Sequence, residues 1–373
     1  MTANDFSSIA QRLMSNPASP YHEAGVQAAV EAICSEHGLA YGRDKFGNIL
    51  VRLKTAPRQR PVVLAAHMDH PGFEVIRQLT PNTWEARFLG GVGDAYFKPG
   101  VKLRLMPGGV PAKLGKRIGE NKEFEIVSAK GKDAPRFVVE TGKGAEAKDG
   151  FRFAVWELED FEVADGRITG RACDDLIGVA SILATLIELK SKKAKTHVIG
   201  VISRAEEVGF HGALTVAAGT LLPKNSLVIS LETSRELPPI KMGQGVIVRV
   251  GDKASTFDSV ATRYLVEVAT AQQQKQTGFQ FQRALMFGGT CEATAYQEFG
   301  FQTTAVCVAL GNYHNCAPKD RIGAEFVSET DALGMVDLLV AAAIEMPNFK
   351  ALVGKLPSRI NNLLKEARKR LVA

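Results

Sequence analysis

Val198-Ile199-Gly200-Val201-Ile202-Ser203-Arg204-Ala205-Glu206-Glu207-Val208-Gly209 is the stretch on which the reading of this chain turns. Its first five residues form an uninterrupted apolar run, the pattern of a strand buried on both faces. Such a strand normally gives way to a neutral turn, because an ionised carboxylate taken out of water is costly unless a positive charge faces it. Glu206 and Glu207 at its end therefore point to a cation. His67, Asp174, Glu232 and His314 occupy comparable places elsewhere in the chain, and together the six imply a centre for two metal ions.

Outward from that run, Pro61-Val62-Val63-Leu64-Ala65-Ala66 reads as a second buried strand, which delivers His67 at its C-terminal end. Leu227-Val228-Ile229-Ser230-Leu231 is a third, followed at once by Glu232. Helical patterns over Phe6 to Met14, Glu23 to His37 and Leu176 to Lys190, and near 259–274, 290–299 and 325–345, alternate with these strands and with others near 280–286 and 303–310. The alternation predicts an α/β fold: a mixed, largely parallel central sheet covered by helices on both faces. In such sheets ligands gather beyond the C-terminal strand ends, where His67, Glu206, Glu207 and Glu232 are expected.

Between about 77 and 165 the texture changes to short alternating segments broken by Gly and Pro, such as Val101-Lys102-Leu103-Arg104-Leu105 and Arg136-Phe137-Val138-Val139. This predicts a small all-β domain, residues 77–165, inserted into a discontinuous catalytic domain of residues 1–76 and 166–373.

At 373 residues and 45% hydrophobic content, the chain can bury a large core and a second module, which excludes disorder as its main state. It has no uninterrupted apolar run of about 18 residues, and Met1-Thr2-Ala3-Asn4-Asp5 lacks the basic-then-apolar pattern of a signal peptide. The expectation is a cytoplasmic protein with no membrane partner. Five scattered cysteines without a CxxC pair suggest neither a disulfide framework nor a structural zinc site. The net charge of +6 collects mainly between Lys350 and Arg370, in an amphipathic basic helix. With two Trp and six Tyr in the whole chain, no stacking platform for bases accompanies it, and no nucleic-acid partner is expected.

Imidazole nitrogen combined with carboxylate oxygen suits zinc, cobalt or manganese, and a ligand set without cysteine points to a catalytic rather than a structural ion. Asp174, in Ala172-Cys173-Asp174-Asp175-Leu176-Ile177-Gly178, is the candidate bridging carboxylate. Two bridged ions would polarise a carbonyl and lower the pKa of a water between them. Taken singly, each residue has a plainer role: Asp174-Asp175 as a helix N-cap, Glu206-Glu207 as charges at a helix start, His314 as a loop residue. His70 reads as a surface imidazole, or as an additional ligand or substrate contact, and His211 as a loop residue or a substrate contact. Lys241 and Arg263 are cations that a terminal carboxylate would need. What argues for the centre is the coincidence of all six groups at compatible strand ends.

Ala66-His67-Met68-Asp69 with Gly72-Phe73, Asp174-Asp175 with Gly178, Glu206-Glu207-Val208-Gly209 with Gly212-Ala213, Phe287-Gly288-Gly289-Thr290 and Tyr313-His314-Asn315 follow one another in a familiar order. From about residue 5 to 345 the chain resembles the glutamyl and tetrahedral aminopeptidase family of dimetal exopeptidases. The resemblance implies two divalent ions per subunit, zinc before cobalt or manganese, with His67 and Glu232 on one, Glu207 and His314 on the other, and Asp174 between them. It further implies that Asp69 orients His67 through its second nitrogen, and that Glu206 is the general base acting on the bridging water. A cis Asp174-Asp175 bond, peptide substrates, an assembly or lid role for the inserted domain 77–165, and a homo-oligomer, up to a closed dodecamer, belong to the same implication. The chain departs from the family pattern at Glu232 (usually Asp), Leu176 (Arg), His70-Pro71 (Glu-Ile) and Cys291-Glu292 (where an Asp is usual), and none of these removes a ligating atom.

The expected function is metal-dependent release of N-terminal residues from peptides. Glu232 keeps open a carboxypeptidase or an N-acyl amino acid deacylase on the same centre, and a catalytically silent assembly or binding protein is the reading from another class.

Overall fold

The computed structural model describes residues 1–120, 134–144, 150–354 and 358–371. Helix α1 (Ala3–Met14) starts where the Thr2 hydroxyl accepts from the Asp5 N–H while the Asp5 carboxylate reaches back, a capping box that satisfies donors at the helix start. Its buried Phe6, Ile9, Ala10, Leu13 and Met14 follow the helical repeat and face the core. Helix α2 (Ala24–Glu36) and strands β1 (Ala40–Arg43), β2 (Ile49–Lys54) and β3 (Val62–His67) follow.

Strands β4 (Gly72–Thr80), β5 (Thr83–Leu89), β6 (Lys102–Met106), β7 (Val110–Glu120), β8 (Pro135–Thr141) and β9 (Phe153–Trp156) form a separate body. They close into a barrel in the order β4-β5-β8-β7-β6-β9, so none of these strands is left with an open edge. Its core is aromatic: the Phe73 ring lies 4.9 Å from both Phe88 and Trp156, and Phe97 stacks at 4.8 Å on Phe137. The barrel strands run from Gly72 to Trp156, whereas composition alone puts the insert at 77–165. β4 is already a barrel strand at Gly72, and β10 (Glu162–Ala164) already pairs in the main sheet.

The chain returns through β10, β11 (Arg167–Gly170), α3 (Cys173–Ser191), β12 (His197–Ser203), α4 (His211–Ala218), β13 (Leu227–Arg235) and β14 (Val246–Gly251). It continues through α5 (Ser259–Lys275), β15 (Phe281–Leu285), α6 (Glu292–Glu298), β16 (Gln302–Gly311), a small hairpin of β17 (Cys316–Ala317) and β18 (Arg321–Ile322), and β19 (Glu325–Ser328). Helices α7 (Glu329–Glu345), α8 (Phe349–Gly354) and α9 (Ser358–Arg370) end it.

The main sheet is parallel at its centre, β12-β3-β13-β16, and antiparallel on its flanks, β1-β2 on one side and β19-β11-β10 on the other. Helices α1, α2, α3, α5 and α7 pack in the larger core on one face; α4 and α6 pack on the other. This is the expected mixed α/β sheet with an inserted all-β domain. Every residue of β12 and β3 is buried, as their apolar runs require. Gly200 lets α3 approach β12, since a Cβ there would meet the Ile182 Cγ2 at 2.6 Å.

The final helical pattern, expected from 325, begins at Glu329, because Glu325–Ser328 extends the sheet by pairing with β11. The Ser328 hydroxyl then caps α7 by accepting from the Asp331 N–H at 3.3 Å. From α7 through α8 the chain is long and apolar enough to cross a membrane by composition, and the apolar face of α7, including Met335, Leu338, Leu339 and Ala342, is buried in the protein core. α9 forms the basic C-terminal helix, with Ile360, Leu363 and Leu364 exposed along it.

Candidate metal centre

The C-terminal ends of the parallel strands converge on one point. β3 ends on His67, opposite Ser203, the last residue of β12. From there the chain turns through Ala205, held at φ 50°, and carries Glu206 and Glu207 across the mouth of the sheet. β3 and β13 stop pairing at Ser230, so Glu232, two residues further along β13, lies beyond their shared ladder. His314 follows β16 in a short 3-10 turn with φ 52°, and Asp174 opens α3 with non-helical dihedrals.

These residues form two groups, His67–Glu206–Glu232 and Asp174–Glu207–His314, whose offered atoms lie within 4.8 Å of one another in each. Asp174 stands between two imidazoles: its Oδ1 is 3.5 Å from the His67 Nε2, and its Oδ2 is 3.7 Å from the His314 Nε2. The His314 Nε2 is also 3.2 Å from the Glu207 Oε1, and the His67 Nε2 is 3.8 Å from the Glu206 Oε2. Asp174 Oδ1 and Glu207 Oε1 are buried without a hydrogen-bond partner. Orphaned carboxylate oxygens facing imidazole nitrogens are a donor set that fits divalent cations.

The electrostatics agree. Burial pushes the Glu206 carboxyl well above the usual carboxylate range, and Glu232 and Glu207 push it further. Burial, then the Asp174 charge, raises Glu232 to about 8. Burial opposes a charged His314, but Glu207 and Asp174 outweigh it and raise the imidazole to about 9. The same contest, with Glu206 as the strongest opposing charge, leaves His67 well above its ordinary value. Negative charge is thus in excess at this spot, the condition a bound cation relieves.

Neighbouring groups aim the donors. The His67 Nδ1 donates to the Asp69 backbone carbonyl at 3.0 Å, and the His314 Nδ1 donates to the Gly91 carbonyl at 2.7 Å, so each Nε2 faces the centre. Asp69 thus meets the second nitrogen of His67, as the resemblance implied, and does so chiefly through its main chain. The Asp69 carboxylate lies 3.7 Å from the His67 Nδ1 and instead accepts from the N–H groups of Glu206 at 2.9 Å and Glu207 at 3.1 Å. Glu23 adds an acceptor for the Ala205 N–H at 3.1 Å. The Asp174-Asp175 bond is cis, as the resemblance implied. Asp175 does the capping, its Oδ1 accepting from the Gly178 N–H at 3.2 Å, and a Cβ at Gly178 would meet that carboxylate.

His70 is neither a surface residue nor aimed as a ligand. It is buried, with its Nδ1 2.8 Å from the Asp174 carbonyl and its Nε2 2.9 Å from the Asn315 Oδ1. His211 sits at the rim, its Nδ1 2.9 Å from the Tyr21 hydroxyl. Arg263 lies on α5 near Glu267, and Lys241 sits beside Gln282, so neither joins the centre. Four cysteines are buried and Cys316 is half-buried, all as free thiols.

Sequence reasoning missed Glu292, Glu325 and Arg249, all buried. Burial raises Glu292 to about 7, and its carboxylate accepts from the Ser203 hydroxyl in a short hydrogen bond. An isolated acid before an apolar segment is the one available signal for Glu325, and it is too common to be read. Beside the centre, a cavity of 380 Å³ is lined in part by Tyr96, Arg235, Tyr313 and Cys316. The Tyr313 ring stacks on His314 at 3.8 Å and carries the Arg235 guanidinium at 5.0 Å.

Residues 145–327 match the family model described as M42 glutamyl aminopeptidase. An aminopeptidase from the archaeon Desulfurococcus kamchatkensis superposes with a TM-score of 0.74 at 20% identity, covering 95% of this chain and 99% of its own. The TET1 peptidase of Pyrococcus horikoshii, described as assembling into a tetrahedron or a large octahedral shell, gives 0.71 at 20%, covering 91% and 99%. A TET aminopeptidase from the marine sediment archaeon Thaumarchaeota archaeon SCGC AB-539-E09 gives 0.74 at 18%, covering 94% and 99%. At these identities the superpositions speak for the fold, and the family model speaks for the chemistry: this is a hydrolase of peptide bonds. The match, which spans just under half of the chain, and the superpositions together support a place in the M42 glutamyl aminopeptidase family.

Proposed function

We propose that the protein is a dimetal aminopeptidase in which His67 and Glu232 hold one divalent ion, Glu207 and His314 hold the other, and Asp174 lies between them. The observation that carries this reading is Asp174, which turns one oxygen to each imidazole and has no hydrogen bond on Oδ1. Two such ions, zinc foremost with cobalt or manganese as alternatives, polarise a substrate carbonyl and lower the pKa of an attacking water. Glu206 is buried beside the proposed centre, its Oε2 3.8 Å from the His67 Nε2, so as a carboxylate it would be placed to accept the proton of that water and hand it to the leaving amine. Asp69 keeps Glu206 and Glu207 in place through their backbone N–H groups. Solved relatives described as dodecamers and shells support a homo-oligomer built from this chain.

The test follows one short peptide by mass spectrometry in free, N-acetylated and C-amidated forms, with zinc or cobalt and with chelator. Chelator-sensitive loss of single residues from the free and amidated forms, but not from the acetylated form, is the expected result. Cleavage of the acetylated but not the amidated form transfers the activity to a carboxypeptidase. No cleavage of any form leaves a narrower deacylase or a silent scaffold.

A further inference from the structure

Glu325 begins β19 and is fully buried. Its Oε2 accepts from the Asp174 N–H at 3.0 Å, and its Oε1 accepts from the His314 N–H at 2.8 Å. Both donors belong to residues that have left regular secondary structure, Asp174 at φ −83°, ψ 108° and His314 at φ 52°. A buried N–H in such a place needs a partner from outside its own element, and one carboxylate serves both. The carboxylate is itself held, because Glu325 pairs with Gly170 across β11 and the preceding Ala324 carbonyl accepts from the Asn312 Nδ2 at 2.7 Å.

Asp174 and His314 lie far apart in the sequence, yet they fall in one group of candidate ligands with Glu207. The His314 ring is aimed by Gly91, but its main chain is tied by Glu325. Both Glu325 oxygens are occupied by backbone donors, so the side chain is not itself offered as a ligand.

We infer that Glu325 is a positioning residue, a two-oxygen clasp that sets the separation of Asp174 and His314 and thereby the affinity of the Asp174–Glu207–His314 half for its ion. The inference rests on the dimetal reading above. Outer contacts of this kind change metal affinity by about 10–100-fold.

Glu325→Gln keeps one acceptor oxygen and turns an amide NH2 toward the other N–H. Metal-free full-length protein is titrated with zinc by calorimetry and with cobalt by visible absorption. Wild type is expected to take up two equivalents. Glu325→Gln is expected to bind the ion of the Asp174–Glu207–His314 half at least about 10-fold more weakly, and the other ion, which shares only Asp174 with that half, with a clearly smaller loss and a smaller change in its cobalt spectrum. Glu325→Asp retains the charge but is too short to reach both donors, and it should show the same selective loss. Two ions bound at wild-type affinity by both variants overturn the clasp. So does equal weakening of both ions with a lowered metal-free melting temperature, which would mark a general structural role. If wild type itself binds fewer than two ions, the dimetal reading fails and the clasp fails with it.

Discussion

Glu206 and His314 separate proton transfer from metal holding, and substitution tells them apart. Glu206→Gln removes the base while keeping the shape of the side chain, and the proposed ligands remain. The expected outcome is a loss of kcat of at least about 100-fold with two ions still bound, checked by steady-state kinetics and metal analysis of one preparation. His314→Ala removes a nitrogen 3.2 Å from the Glu207 Oε1 and should cost an ion outright. Full metal occupancy in that variant would show that His314 is not a ligand.

At the scale of elements, the site exists because four parallel strands end together and because α3 lies close over them. Gly200 is one place where that closeness leaves no room for a side chain, since a methyl group on its Cα would stand 2.6 Å from the Ile182 side chain. Gly200→Ala is expected to lower stability by about 1–3 kcal/mol through overpacking, read as a shift in the denaturant midpoint. The terminal helix pattern shows how an element can be legible while its boundary is not. Glu325-Phe326-Val327-Ser328 joins smoothly to a helical repeat, and the pairings that make it a strand come from β16 on one side and from β11, more than a hundred residues earlier, on the other. Strand β14, a short β-branched run, shows its type in sequence but not its place, since its partners β15 and β16 come later in the chain.

Across the whole molecule, the crowded carboxylates make metal-free stability fall as pH rises. Glu232 and Glu292 move from 4.5 in the unfolded chain to about 8 and about 7 in the folded protein, so ionising them costs stability from about pH 4.5 upward. His314, raised from 6.5 to about 9, adds stability below pH 6.5 that is lost as pH rises through 9. Both effects have the same sign. The melting temperature of chelated protein is expected to decline between about pH 5 and about pH 9, and added zinc should flatten the decline. Metal binding at neutral pH should accordingly release protons, which calorimetry in buffers of different ionisation enthalpy will count.

Apolar runs ending in His67, Glu206–Glu207 and Glu232 are sufficient, read alone, to place an α/β sheet with a cation-binding edge. Hydrophobic period and misplaced charge are local quantities, and the chain displays them without being folded. The barrel is visible as a change of texture but not to the residue, since Gly72-Phe73 looks alike whether it ends one domain or begins the next. Which atoms do the holding was a tertiary decision. That the Asp69 carbonyl rather than its carboxylate orients His67, that His70 is locked between Asp174 and Asn315, and that Glu325 ties Asp174 to His314 all depend on backbone groups left unpaired by irregular turns. Those vacancies appear only when distant segments meet, because an N–H lacking a partner has no signature in the residue that carries it.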